Sequence, residues 1–257
     1  MKVLITGGNG YIGKSLYIAL RDKHDVVVVT RQDFDLTCWT STRKFFHDKS
    51  FDVVIHAAVA GGHRLREDND SVIRENLLMY RNLLNHQDKF TKFISFGSGA
   101  ELGNPTTSYG ISKQAIADSM FSKPNFLNLR IFAVFDENEL DTRFIKSNII
   151  RYINKEDMLV YVDKQMDFFY MEDLISLVDY FISREEWVYQ ELDCVYMEKF
   201  SLVDIVGIIN NLNDCKVGVK VGINKGNSYI GTWRGLPIKL VGLEQGIKET
   251  YNKLKDE

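Results

Sequence analysis

The sequence predicts an α/β protein built on a doubly wound parallel sheet, followed by a small C-terminal cap. Three observations lead there. A short apolar run, Val3-Leu4-Ile5, ends in Thr6-Gly7-Gly8 and is followed by Ile12, Leu16 and Leu20 at helical spacing. β-rich runs and helical-period segments then alternate as far as about residue 131, which implies parallel pairing through right-handed crossovers. Beyond about residue 132 the alternation loosens.

Each element follows from its pattern. The first glycine turn joins strand to helix, with the helix running over 11–20. A second β-rich run covers 25–30, a polar helix lies near 40–48, and a third strand spans 51–56. A long helical segment covers 70–87, a fourth strand 92–96, a helix 109–121 and a further strand 126–131. The looser part offers helices at 143–154 and 172–183 around an apolar run at 158–162, then segments at 202–212 and 216–221 and a terminal helix from Leu243. The expected division is 1–165, with 166–185 folding back onto it, and 186–257 as the cap.

Composition excludes several classes. The chain has 257 residues, 45% apolar and 26% charged, with 3 Pro and 18 Gly, which excludes collagen-like and disordered readings. Its 32 basic and 35 acidic residues give a net charge of -3, so bulk charge does not announce a nucleic-acid partner. No apolar run approaches the roughly 18 residues of a membrane span. The first strand starts at Lys2 and leaves no room for a leader, so the expectation is a cytoplasmic protein without membrane attachment. The cysteines at 38, 194 and 215 form no CxxC pair, and the histidines lack metal-ligand spacing, so no metal is expected.

Glycines 7, 10 and 13 lie directly between a strand and a helix. Gly7 permits the tight turn, Gly10 lets the backbone approach a pyrophosphate, and Gly13 lets helix and strand pack closely. The helix start at Tyr11 and Ile12 supplies N–H donors and positive partial charge, so all five positions are assigned to a dinucleotide. The end of the second strand indicates which one. Thr30-Arg31 stands where an NAD site carries an acid for the ribose diol. A guanidinium at 31 suits a 2'-phosphate and favours NADP(H). The alternative keeps NAD(H), with Arg31 solvated and Asp33 or Asp35 on the diol. Asp35 and Leu36 are expected beside the adenine, because the chain passes that pocket on leaving the strand.

Tyr109 and Lys113 share a helix face at i and i+4. A phenol of pKa near 10 is a poor acid-base group at neutral pH; bringing it to about 7 takes about 4 kcal/mol, which a neighbouring ammonium and a positively charged nicotinamide can supply. Ser98 sits just past the fourth strand, where it could bond the same substrate oxygen.

With these residues the chain resembles the extended short-chain dehydrogenase/reductase family, the epimerases, dehydratases and reductases of nucleotide sugars. The matching pieces are TGGNGYIG at 6–13, HAA at 56–58, Asn76 within ENLLMYRNLL, FGSGAELG at 96–103, YGISK at 109–113, LRIF at 129–132 and MDFFYMEDL at 166–174. The resemblance implies a Rossmann fold with a small substrate-binding cap, and a catalytic triad of Ser98, Tyr109 and Lys113. It further implies that Ala57 and Ala58 line the cofactor, that Arg130 and Phe132 lie where the chain turns toward substrate, and that helices near 70–87 and 109–121 form a homodimer. Asn76 has a structural alternative, tying its helix to a neighbouring strand. His63 and Arg64, in the loop after the third strand, are either sugar contacts or an exposed pair.

TRQDFDLT at 30–37 and AAVAGG at 57–62 look most like the GDP-fucose synthase branch, NADPH enzymes that epimerise and then reduce a 4-keto-6-deoxy sugar. That branch epimerises with a cysteine and a histidine where this chain has Ala100 and Arg143. Dehydratases carry an acidic pair where Gly99-Ala100 stands, and Glu101 is expected to point away along the turn. Met166 replaces a common arginine, for which Arg143, Lys146 and Arg151 could substitute. The resemblance therefore implies an NADPH-dependent reductase of a nucleotide-diphosphate 4-keto sugar. The alternatives are an NAD-retaining 4-epimerase and a non-catalytic NAD(P)-binding regulator.

Overall fold

Two apolar runs, Val3-Leu4-Ile5 and Val53-Val54-Ile55, are wholly removed from solvent, as strands buried on both faces of a parallel sheet must be. In the computed structural model, which describes residues 1–62 and 68–256, they belong to β1 (Lys2–Thr6) and β3 (Phe51–His56). Around them run α1 (Tyr11–Leu20), β2 (Asp25–Val29), α2 (Trp39–Phe46), α3 (Ser71–Leu84), β4 (Phe90–Ser98), α4 (Ser108–Met120) and β5 (Phe126–Ile131). The chain continues through β6 (Val134–Phe135), α5 (Phe144–Ile153), β7 (Met158–Val160), β8 (Phe169–Tyr170) and α6 (Met171–Ser183). It ends with β9 (Glu191–Cys194), α7 (Leu202–Asn210), β10 (Val219–Val221) and α8 (Leu243–Lys255).

Among the described residues the main sheet has six strands in the order β2-β1-β3-β4-β5-β9. β1 pairs in parallel with both β2 and β3, and β3 with β4. The doubly wound parallel class predicted from the alternation is therefore present. The chain steps from β1 outward to β2 and then crosses back to β3 on the other side of β1. That reversal opens a crevice outside the carboxyl ends of β1 and β3, where such sheets take their ligands.

The chain divides into two compact units, Met1–Arg130 with Val178–Leu192, and Ile131–Leu177 with Asp193–Glu257. The division falls earlier than the expected residue 165, because the chain leaves the first unit at the end of β5 and returns only in the second half of α6. β9 has no counterpart among the sequence expectations: Glu-Leu-Asp-Cys is too short for periodicity to separate from a loop. β4 runs two residues past its expected end. Gly97 reads as a strand breaker, but its missing Cβ leaves room for Asn128 and Glu101, which a methyl group would meet at 2.6–2.8 Å.

The second unit holds the parallel pairs β6–β8 and β7–β10 and packs α5, α7 and α8 on one another. Ile145, Ile149, Ile205, Ile209 and Ile247 are buried there. A capping box between Ser201 and Asp204 starts α7.

Candidate active site

The glycine cradle is built by close approach. Gly7 has φ +74°, and a Cβ on it would stand 2.6 Å from the Ala58 nitrogen, so only glycine fits between β1 and the segment after β3. A Cβ on Gly13 would stand 2.3 Å from the Gly7 carbonyl oxygen, which is how α1 comes to lie against the turn. Gly10 donates to the Gly7 carbonyl at 2.9 Å, and Tyr11 and Ile12 open α1 just beyond it.

Thr6 joins the two strands below the crevice. Its hydroxyl oxygen accepts from the Ala58 N–H at 3.3 Å and lies 2.9 Å from His56 Nδ1. Burial, helped by the nearby Lys113 cation, lowers the His56 pKa to about 3, so the ring is a neutral structural partner.

Above the cradle lies a cavity of about 220 Å³. Gly7, Gly10, Arg31, Asp35, Leu36, Ala57 and Ala58, all assigned from sequence to the cofactor, line it together with Phe34 and Met79. Each nearby aspartate has one carboxylate oxygen bound within its own turn. Asp33 accepts from the Thr30 N–H at 2.7 Å and its hydroxyl at 2.8 Å, which lowers its pKa. Asp35 accepts from the Thr37 N–H and hydroxyl, both at 2.8 Å. Arg31 is exposed at the rim, 3.9 Å from Glu75. The cradle and the cavity above it fit a nicotinamide dinucleotide.

Where β4 ends, a one-turn 3₁₀ helix begins. Ser98 caps it: its Oγ accepts from the Ala100 N–H at 3.2 Å, and its own N–H donates to Glu101 Oε2 at 2.9 Å. The turn meets the start of α4 closely, since a Cβ on Gly110 would stand 2.5 Å from the Ala100 carbonyl oxygen. Gly110 thus lets the helix bearing Tyr109 approach the turn bearing Ser98. On the other side, the Gly62 backbone lies against the Tyr109 ring. Lys113 is buried, donates to the Phe96 carbonyl at 2.5 Å and stands 5.7 Å from the centre of the Tyr109 ring. Burial lowers its pKa to about 8, while the Glu101 charge opposes the fall.

Asn76 takes its structural role here. Its side chain exchanges bonds of 2.8 and 3.0 Å with the Ala60 backbone and donates to Ser112 at 2.9 Å. It ties α3 to the segment after β3 and to α4.

Other expectations are placed differently. Glu101 does not point away along the turn; it is buried and accepts from Arg130 Nε at 2.7 Å and Asn128 at 2.8 Å. Arg130, expected toward substrate, spends its guanidinium on Glu101 and on Glu191 at 2.8 Å. Phe132 is buried in the second unit against the Tyr229 ring, centroids 5.2 Å apart. Arg143 is the N-cap residue of α5, Lys146 pairs with Asp141 at 2.8 Å and Arg151 with Glu156 at 3.3 Å. His63 and Arg64 lie outside the described residues. The Ser98-x-x-Glu101 spacing is itself a capping-box signature, so the inward Glu101 was readable from sequence. The contacts of Gly62 and Gly110 had no such signal.

The model of the NAD-dependent epimerase/dehydratase family matches residues 3–190. The chain belongs to that family. Solved structures share the epimerase/dehydratase fold at low identity. A UDP-glucose 4-epimerase from Thermotoga maritima has a TM-score of 0.81 at 16% identity, over 100% of this chain and 99% of that one. A GDP-D-glycero-L-gluco-heptose synthase from Campylobacter jejuni has 0.81 at 15%, over 100% and 98%. A GDP-6-OMe-4-keto-L-xylo-heptose reductase from C. jejuni has 0.77 at 15%, over 99% and 97%. No curated protein matches the sequence. Among the described residues no helix is long and apolar enough to cross a membrane.

Proposed function

We propose that this chain reduces a nucleotide-diphosphate 4-keto sugar with NADPH. The observation that carries the reading is the Ser98 turn and the Tyr109 helix meeting at Gly110, with the Lys113 ammonium buried beside the phenol ring. The cradle and the cavity above it hold the dinucleotide, with Arg31 on the 2'-phosphate. The Arg31 cation at the cavity rim supports NADPH over NADH. When bound, the cofactor supplies a hydride to the keto carbon. Tyr109 gives its hydroxyl proton to the carbonyl oxygen, so the ketone becomes a secondary alcohol and the phenolate is reprotonated from solvent. Ser98 donates a hydrogen bond to the same oxygen. Lys113 favours the ionised phenol by its charge and binds the ribose hydroxyls.

Ala100 cannot carry a proton, so reduction proceeds without the cysteine-assisted epimerisation of the GDP-fucose synthase branch. The family also contains epimerases, and a 4-epimerase using the same triad is the rival. NADPH oxidation against GDP-, dTDP-, CDP- and UDP-linked 4-keto sugars tests the reading. Stoichiometric consumption with one substrate class is the expected result. Purification with tightly held NAD, and sugar interconversion without added cofactor, would establish the epimerase instead.

A further inference from the structure

We infer that Glu101 is a positioning residue for this chemistry: buried at the end of β4, it fixes the turn that carries Ser98 and supplies the negative charge that keeps Lys113 an ammonium. The inference rests on the roles proposed above for Ser98, Tyr109 and Lys113. Three groups from two directions hold the carboxylate. The Ser98 N–H binds Oε2, while Arg130 Nε and the Asn128 amide, both from β5, bind Oε1 at 2.7 and 2.8 Å. Gly97 makes the space, because a Cβ there would collide with both Asn128 and Glu101. With Oε2 on the backbone of Ser98 and the Ser98 Oγ on Ala100 N–H, the serine cannot turn without breaking the cluster.

The second half of the inference is electrostatic. Arg130 divides its guanidinium between Glu101 and Glu191. Among the described residues, the charged or titratable groups facing Lys113 are Glu101 from the turn after β4, His56 from β3 and Tyr109 from its own helix. His56 is neutral, which leaves Glu101 as the anion that opposes desolvation of the lysine. An ammonium is what Tyr109 requires of its neighbour.

The test reads Lys113 directly. In protein labelled with 13C at the lysine ε carbon, with Lys113→Met identifying the signal, the wild-type resonance should titrate near pH 8. Glu101→Gln should lower the midpoint by about one pH unit, a tenfold loss of proton affinity. It should also shift the Ser98 amide proton and carry the alkaline limb of the kcat profile to lower pH. Should Glu101→Gln fold poorly with Arg130 left behind, the double variant Glu101→Leu with Arg130→Met replaces the pair by apolar groups, and its midpoint should move the same way. An unmoved midpoint, or a kcat lowered equally at every pH, overturns the inference. Ser98→Ala and Tyr109→Phe separate the two levels. If both retain turnover, the proposed reaction fails, while the lysine titration still reports on Glu101.

Discussion

Around the cradle every buried ionisable group described above has a partner: His56 with Thr6, Glu101 with Asn128 and Arg130, Lys113 with the Phe96 carbonyl. In the second unit, Glu139 is buried between β6 and α5 with Oε1 lacking any hydrogen-bond partner, and burial raises its pKa to about 8 against the pull of Arg143 and Lys146. The first arrangement is the preorganised kind that proton-transfer chemistry uses, with each group held in one orientation. The second is a carboxyl with one oxygen left unbonded, which burial keeps neutral despite the Lys146 backbone N–H on the group. The stabilising contributions of His56 and Glu139 should therefore respond to pH in opposite directions.

His56 offers the largest test of that contrast. Its folded pKa lies near 3 against an ordinary 6.5. Its contribution is therefore complete above about pH 6.5 and is lost as pH falls toward 3, on the order of 5 kcal/mol in all. His56→Gln should flatten thermal stability between pH 4 and 7; a wild-type melting curve already flat over that range would refute the assignment.

Tyr109→Phe comes next. It should lower kcat by about 10³-fold, with the melting temperature and NADPH binding measured by fluorescence close to wild type. Retained turnover would break the claim that the first unit houses the acid-base chemistry.

Glu139 gives the mirror-image stability effect. A carboxyl raised to about 8 from an ordinary 4.5 stabilises fully below pH 4.5 and loses that contribution as pH rises through 8. Glu139→Gln should raise the melting temperature at pH 9 by roughly 10 °C, equivalent to on the order of 5 kcal/mol, and leave it unchanged at pH 4. The smallest effect belongs to Arg31→Ala at the exposed rim. It should weaken NADPH about tenfold, near 1.4 kcal/mol, and leave NADH unchanged in a paired titration; equal losses for both would remove Arg31 from the 2'-phosphate.

The first unit was largely legible because its signals are local. Strand, glycine turn and helix follow one another within 20 residues, and Phe51–His56 and Tyr11–Leu20 emerge with the bounds their periodicity predicts. Most residues lining the cavity above the cradle were readable for the same reason, since they sit at or just past the ends of β1, β2 and β3. The second unit was harder. Pairs such as Val134–Phe135 with Phe169–Tyr170 are two residues long, too short for any repeat to register, and their partner lies more than 30 residues away.

By itself the sequence determined the doubly wound class, the glycine cradle and the Tyr109–Lys113 spacing, because each is written in neighbours along the chain through backbone sterics and helical period. Only the tertiary structure decided the charge partners. Arg130 turned to Glu101 and Glu191, Glu101 turned inward, and Asp33 and Asp35 closed their own turns. A buried charge takes whichever counter-charge the fold brings within about 3 Å, and that depends on strands distant in sequence.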